Sequence, residues 1–261
     1  MDLQLAGKTA FVSGSTAGIG LAIATSLARE GAAVIVNGRS QAAVDKATAQ
    51  IKAETGVAVQ GFAGDLSQAD QAVALAARFP KVDILVNNLG IFEPKAFEDI
   101  PDEDWLRFFD VNVLSGVRLS RLYLPAMKAA DWGRIIFISS ESAVQIPVEM
   151  IHYGMTKTAQ LAVSRGLAES LAGTGITVNS VLPGPTKSRG VNDFVEQLSG
   201  GATFEAFEKE FFETVRPSSL IKRFATVEEV AAMVTYVASP LASATTGAAL
   251  RVDGGVLRSA V

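Results

Sequence analysis

Ser13-Gly14-Ser15-Thr16-Ala17-Gly18-Ile19-Gly20 follows a short apolar, β-branched run and leads into an Ala-rich amphipathic stretch. Its glycines are spaced as glycine, three residues, glycine, one residue, glycine. Glycine suits a backbone that must turn sharply or approach a phosphate closely, and the helix start that follows offers unpaired amide donors and a partial positive charge. At the first strand-to-helix junction the turn reads as a cradle for a dinucleotide pyrophosphate, formed by Gly14, Ser15, Thr16, Ala17, Gly18, Ile19 and Gly20. An ordinary glycine-rich turn is the alternative that the spacing alone leaves open.

Outward from this turn, the pattern repeats along the chain. Short apolar runs at 9–13, 33–37, 58–63, 84–87, 134–139, 177–182 and 248–252 read as strands covered on both faces. Amphipathic stretches at 18–30, 41–55, 67–78, 102–130, 153–172 and 227–238 read as helices between them, the last opened by a Thr226/Glu229 capping box. Strand alternating with helix predicts a parallel sheet wrapped by helices, in one domain over 1–261. The rhythm breaks at 183–224, where a Phe- and Glu-rich excursion replaces a tight turn.

Composition excludes several chemistries. The 261 residues contain no cysteine and one histidine, His152, so disulfides, thiolate metal ligands and a cysteine nucleophile are ruled out, and neither a serine/histidine triad nor a metal site is expected. A net charge of −4 speaks against nucleic acid or an anionic membrane as partner. The opening residues lack the pattern of a signal peptide, and no run suits a membrane span, so a cytoplasmic location is expected.

After the second strand, Asn37-Gly38-Arg39-Ser40 offers no acid for the ribose hydroxyls of NAD. Arg39 offers a guanidinium suited to a 2′-phosphate, so NADP(H) is preferred and NAD(H) remains possible. Asp65 and Leu66, after the third strand, are candidates for the adenine end, with capping of the next helix as the other role for Asp65.

Tyr153-Gly154-Met155-Thr156-Lys157 places a phenol and an ammonium four residues apart on one helical face. A tyrosine of pKa about 10 works poorly near neutrality, and lowering it by about three units takes roughly 4 kcal/mol. A lysine and an oxidised nicotinamide together are expected to supply that.

With these residues in place, the chain resembles the short-chain dehydrogenases/reductases over nearly its whole length. The family's TGxxxGxG motif is matched from Ser13 to Gly20 and its NNAG motif by Asn87-Asn88-Leu89-Gly90. Its catalytic asparagine, serine, tyrosine and lysine are matched by Asn112, Ser140, Tyr153 and Lys157, and its PG motif by Pro183-Gly184. The resemblance implies an α/β single-domain Rossmann fold: a doubly wound seven-stranded parallel sheet, with a helical substrate lid at about 185–224. It further implies a ketone/secondary alcohol oxidoreductase. Tyr153 would be general acid or base, Ser140 would orient the carbonyl oxygen, Lys157 would bind the nicotinamide ribose, and Asn112 would hold a relay water. Asn88, Gly90, Pro183, Gly184 and Thr186 join the cofactor site. A homotetramer is implied, with a dimer as the other possibility.

For the substrate, Phe194, Phe204, Phe207, Phe211 and Phe212 in the lid, with Glu205, Glu208 and Glu213 mostly on its outer side, suggest an apolar interior. Val144, Ile146, Pro147, Val148, Met150 and Ile151 point the same way, toward an apolar or medium-sized ketone. A 3-oxoacyl group on acyl carrier protein is the alternative, although the turns that would dock the carrier, 129–133 and 172–175, hold no arginine, Lys128 and Arg134 lying alongside the first. A non-catalytic NADP-sensing protein and a non-redox lyase or epimerase are the remaining classes. Leu89 is expected to crowd the nicotinamide pocket, and His152 to be a pocket or surface residue.

Overall fold

The computed structural model describes residues 2–188 and 203–260; Phe194 lies outside them. The strands are β1 (Thr9–Val12), β2 (Ala33–Gly38), β3 (Val59–Ala63), β4 (Ile84–Asn87), β5 (Gly133–Ile138), β6 (Ile176–Pro183) and β7 (Ala249–Val252). They form one seven-stranded sheet in the order β3-β2-β1-β4-β5-β6-β7, parallel throughout. The helices are α1 (Gly18–Arg29), α2 (Gln41–Thr55), α3 (Ala69–Arg78), α4 (Asp102–Phe109), α5 (Ser115–Ala130), α6 (Ile151–Ser170), α7 (Phe204–Thr214) and α8 (Val227–Ala238). This is the expected doubly wound Rossmann architecture.

The unbroken apolar strands follow from coverage on both faces. In β5, Ile136 and Ile138 enter one core and Ile135 and Phe137 the other, because successive side chains point to opposite faces. One core is aliphatic: Ile23 and Leu27 of α1, Ile51 of α2 and Val230 and Val234 of α8 pack against Val12, Val34 and Val86. The other carries rings, with Phe11, Phe62, Phe79, Tyr123 and Phe137 among Leu75, Leu119 and Met127.

The expected helix over 102–130 is interrupted. Asp110–Leu114 forms a π-helical turn between α4 and α5, which buries Asn112 and Val113. An extra residue in one turn changes which side chains face inward without disturbing the local apolar pattern, so periodicity passes over it. Helix α6 starts at Ile151 rather than at Tyr153. The Thr226/Glu229 capping box is present, with each side chain accepting the other residue's backbone N–H. Between β1 and β4 the strand order reverses, which opens a crevice at the carboxyl ends of the strands.

Candidate active site

The glycine turn closes this crevice. Gly14 and Gly18 have φ of 59° and 56°, left-handed values that favour glycine. The Ser15 hydroxyl donates to Val12 O (2.6 Å) and accepts from Asn37 N (2.9 Å), while Gly14 N donates to Asn37 Oδ1 (3.1 Å). From after β4, Asn88 Nδ2 donates to Ser13 O and Gly14 O, at 2.9 and 3.0 Å. A Cβ on Gly20 would lie 2.4 Å from Gly14 O and 2.5 Å from Asn88 Nδ2. Helix α1 has no side-chain cap at Ala17 and no acid in its first turn, so its start keeps the anion-binding character of bare amides.

A cavity of about 1060 Å³ begins at this helix start. Ala17, Gly18, Ile19, Gly20 and Arg39 line it, as do Asn88 and Gly90 from after β4 and Pro183, Gly184 and Thr186 at the end of β6. Its size is at the upper end for small-molecule sites. Together with the crowded Gly20 and the uncapped helix start, it fits a dinucleotide. Gly14, Ser15 and Thr16 support the turn without lining the cavity. Asp65 and Leu66 are also outside its lining: the Asp65 carboxylate accepts from Ser67 N and Oγ at 3.0 and 2.8 Å, and the Leu66 side chain is buried.

Ser140, Tyr153 and Lys157 line the same cavity. Lys157 Nζ donates to Ile138 O (3.0 Å) and lies 5.5 Å from the Tyr153 ring centre. Burial lowers the Lys157 ammonium to about 8. For Tyr153 the expectation of a lowered phenol is not met by the protein's own groups: burial pushes it up, Ser140's hydrogen bond opposes the rise, and Glu141's charge adds to it. Asn112, buried in the π turn, does not line the cavity. Its Nδ2 donates to Ile91 O and Thr156 Oγ1 and its Oδ1 accepts from Ile91 N, so it ties the loop after β4 to α6.

The lysine's proton predicts a pH dependence. Lys157 holds its proton less tightly folded, at about 8, than at its ordinary 10.5. Above about pH 8 the unfolded chain therefore binds more protons at this residue, and stability rises with pH. Above pH 10 the raised Tyr153 phenol reverses the trend, since the unfolded tyrosine ionises first. Urea midpoints of the nucleotide-free protein should climb between about pH 8 and 10, and climb less in Lys157→Met.

The profile of the family described as "Enoyl-(Acyl carrier protein) reductase", a short-chain dehydrogenase/reductase group, matches residues 14–257. The chain belongs to the short-chain dehydrogenases/reductases. This dehydrogenase/reductase is 51% identical over 99% of both chains to a Bacillus subtilis protein named "Uncharacterized oxidoreductase YvaG". It is 36% identical to the D-beta-hydroxybutyrate dehydrogenase of Cupriavidus necator, over 97% of this chain and 98% of that one. Among solved structures, L-sorbose reductase from Gluconobacter frateurii, complexed with NADPH and L-sorbose, superposes with a TM-score of 0.94 at 32% identity, covering 99% and 100% of the two chains. The protein is thus an oxidoreductase acting on CH–OH groups.

The substrate side of this dehydrogenase/reductase departs from the sequence reading. Of the six residues expected to make it apolar, Met150 lines the cavity, whereas Val144, Ile146 and Val148 are exposed. Charged residues absent from that expectation, Glu141, Glu149, Glu210 and Arg216, line it as well. Glu141, next to Ser140, is buried with Arg216, Nε to Oε1 at 3.2 Å, and Arg216 Nη1 is 3.5 Å from Glu149. An acid adjoining the serine was the available signal; its pairing with a residue 75 positions away was not.

Other corrections concern neighbours of the site. His152 is neither pocket nor surface: it is fully buried against Phe108, ring centres 4.0 Å apart, and neither nitrogen has a partner among the described residues. Leu89 does not line the cavity; it packs on the ring-bearing core. Phe207, Phe211 and Phe224 line the cavity, and Phe212 packs on Phe224. Glu208 faces inward, accepting from Phe224 N at 2.9 Å.

Proposed function

We propose that the protein is an NADP(H)-dependent oxidoreductase interconverting a ketone and a secondary alcohol. The observation that carries this reading is the convergence of Ser140, Tyr153 and Lys157 on the cavity that starts at the α1 N-terminus and Arg39. A bound nicotinamide dinucleotide supplies or accepts the hydride. Gly18, Ile19 and Gly20 would hold its pyrophosphate, Arg39 a 2′-phosphate, and Asn88, Gly90, Pro183, Gly184 and Thr186 the walls beside it. Tyr153 gives its proton to the carbonyl oxygen in reduction and takes it back in oxidation. Lys157 binds the nicotinamide ribose and, held charged, favours the phenolate. Both amide hydrogens of Asn112 are committed, so a relay water there donates to Oδ1 rather than accepting from the amide. The structure of L-sorbose reductase with NADPH supports the cofactor choice.

Arg39 is exposed and lines the cavity, and charge-assisted bonds to a phosphate contribute about 1.5–3 kcal/mol. Arg39→Ala should therefore raise the KM for NADPH roughly 10- to 100-fold and leave that for NADH nearly unchanged. A spectrophotometric screen of ketones and alcohols with both cofactors tests the whole reading. No oxidation of NADPH by any ketone would defeat it, and turnover without stoichiometric NADPH consumption would favour a lyase or epimerase. A carrier-protein substrate is less well supported: Arg134 is buried and donates to Ser239 O, Gly133 O and Gly175 O, leaving it no free face for an acidic partner. Leu106 and Phe109, exposed on α4, are consistent with a homotetramer or dimer.

A further inference from the structure

Glu141 poses a physical question. It is a carboxylate 5% exposed beside a guanidinium 8% exposed, and a buried ion pair of this kind commonly adds no more stability than apolar side chains of the same volume. Its hydrogen bonds are uneven. Oε2 accepts three, from Ser140 Oγ (2.5 Å), Ser142 N (2.6 Å) and Ser142 Oγ (2.9 Å); Oε1 accepts from Arg216 alone among the described residues. The residue lines the cavity beside Ser140, so a donor from the substrate can replace Ser140's at Oε2.

The consequence falls on Ser140. Its single hydroxyl hydrogen is donated to Glu141 while its oxygen accepts from Ser142 N (3.1 Å). A plain ketone brings acceptors and no donor, so it must compete with a carboxylate for that hydrogen. A ketone with a hydroxyl on the adjacent carbon brings the missing donor. Its two oxygens are neighbours, as Ser140 Oγ and Glu141 Oε2 are. Charge narrows the class further. The cavity is lined by the carboxylates of Glu141, Glu149 and Glu210 and by the cations Arg39, Lys157 and Arg216 among the described residues. Arg216 is already shared by Glu141 and Glu149 and Lys157 is assigned to the nicotinamide ribose, so among the described residues no cation at this end is left for a substrate carboxylate.

Resting on the function proposed above, we propose that the substrate is an uncharged ketone with a hydroxyl beside its carbonyl. Glu141, held by Arg216, accepts that hydroxyl and releases Ser140's hydrogen to the carbonyl oxygen. The test is kcat/KM at saturating NADPH for hydroxyacetone, for butanone, which has the same number of heavy atoms, and for pyruvate. Hydroxyacetone should exceed butanone by about tenfold or more, in line with one hydrogen bond to a charged group, and pyruvate should be poorest. In Glu141→Gln the hydroxyacetone-to-butanone ratio should fall about tenfold. If that variant folds poorly, the Glu141→Met/Arg216→Met double variant removes the pair together and should lose the same ratio. Equal turnover of hydroxyacetone and butanone by the unaltered protein, or a Gln variant in which both fall by one factor, overturns the proposal. Turnover of plain ketones without the hydroxyl preference overturns this inference alone, whereas failure of every ketone to oxidise NADPH overturns the oxidoreductase reading with it.

Discussion

Tyr153→Phe is expected to lower kcat for carbonyl reduction by about a thousandfold, within the range that a positioned general acid contributes. The substitution is nearly isosteric. It keeps the ring and its edge-on contact with Phe92, centroids 6.3 Å apart, and removes only the phenol oxygen. Nucleotide binding, followed by fluorescence titration, should change little, because the glycine turn, Arg39 and Lys157 are untouched. Retention of full activity would mean that another group delivers the proton and that the assigned chemistry is wrong.

The second large effect concerns Gly20→Ala. The added Cβ would meet Gly14 O at 2.4 Å, Asn88 Nδ2 at 2.5 Å and Ser15 Cα at 3.0 Å. Two of these atoms are backbone, and the third is held by bonds to Ser13 O and Gly14 O, so none yields cheaply. Overpacking of this kind costs about 1–3 kcal/mol. The turn would have to open, and dinucleotide affinity should drop on the order of a hundredfold through lost alignment of the amide donors. Gly166→Ala in α6 is the control: a Cβ there meets nothing within 4 Å, and it should be neutral or stabilising by up to about 1 kcal/mol. A melting temperature for Gly20→Ala equal to that of the unaltered chain, with binding intact, would sink this account of the turn.

The sequence carried the fold well because its signals are local. The apolar runs, the glycine turn and the Thr226/Glu229 box each lie within a few residues, and each appears where expected. The reading weakened where geometry depends on distant partners. The π turn at Asp110–Leu114 leaves the apolar pattern intact while it sends Asn112 toward Thr156, 44 positions away. His152, one step of about 100° around the helix from Tyr153, read as a pocket or surface residue, yet it enters the packing against Phe108, a partner that the local sequence does not name. The apolar residues of the β5–α6 connection misled for a related reason: in an irregular connection no strand or helix period assigns an inward face, so hydrophobicity there did not forecast burial. Glu141 was visible next to Ser140, but what makes it notable is Arg216, which composition and spacing do not bring to it.

The two sides of the sheet differ chemically, and this gives the molecule its own optical labels. Among the described residues the aliphatic core contains no buried ring, but Trp132 packs at its margin with Lys8 and Arg134 over the indole. The opposite core holds Tyr123 and four phenylalanines. In a Trp105→Phe/Tyr153→Phe/Tyr236→Phe background, near-ultraviolet dichroism of Tyr123 and emission from Trp132 therefore watch opposite halves of one sheet. If both signals change together on denaturation, the halves unfold as one cooperative unit. If they separate, the sheet itself is the seam between two units of unequal stability.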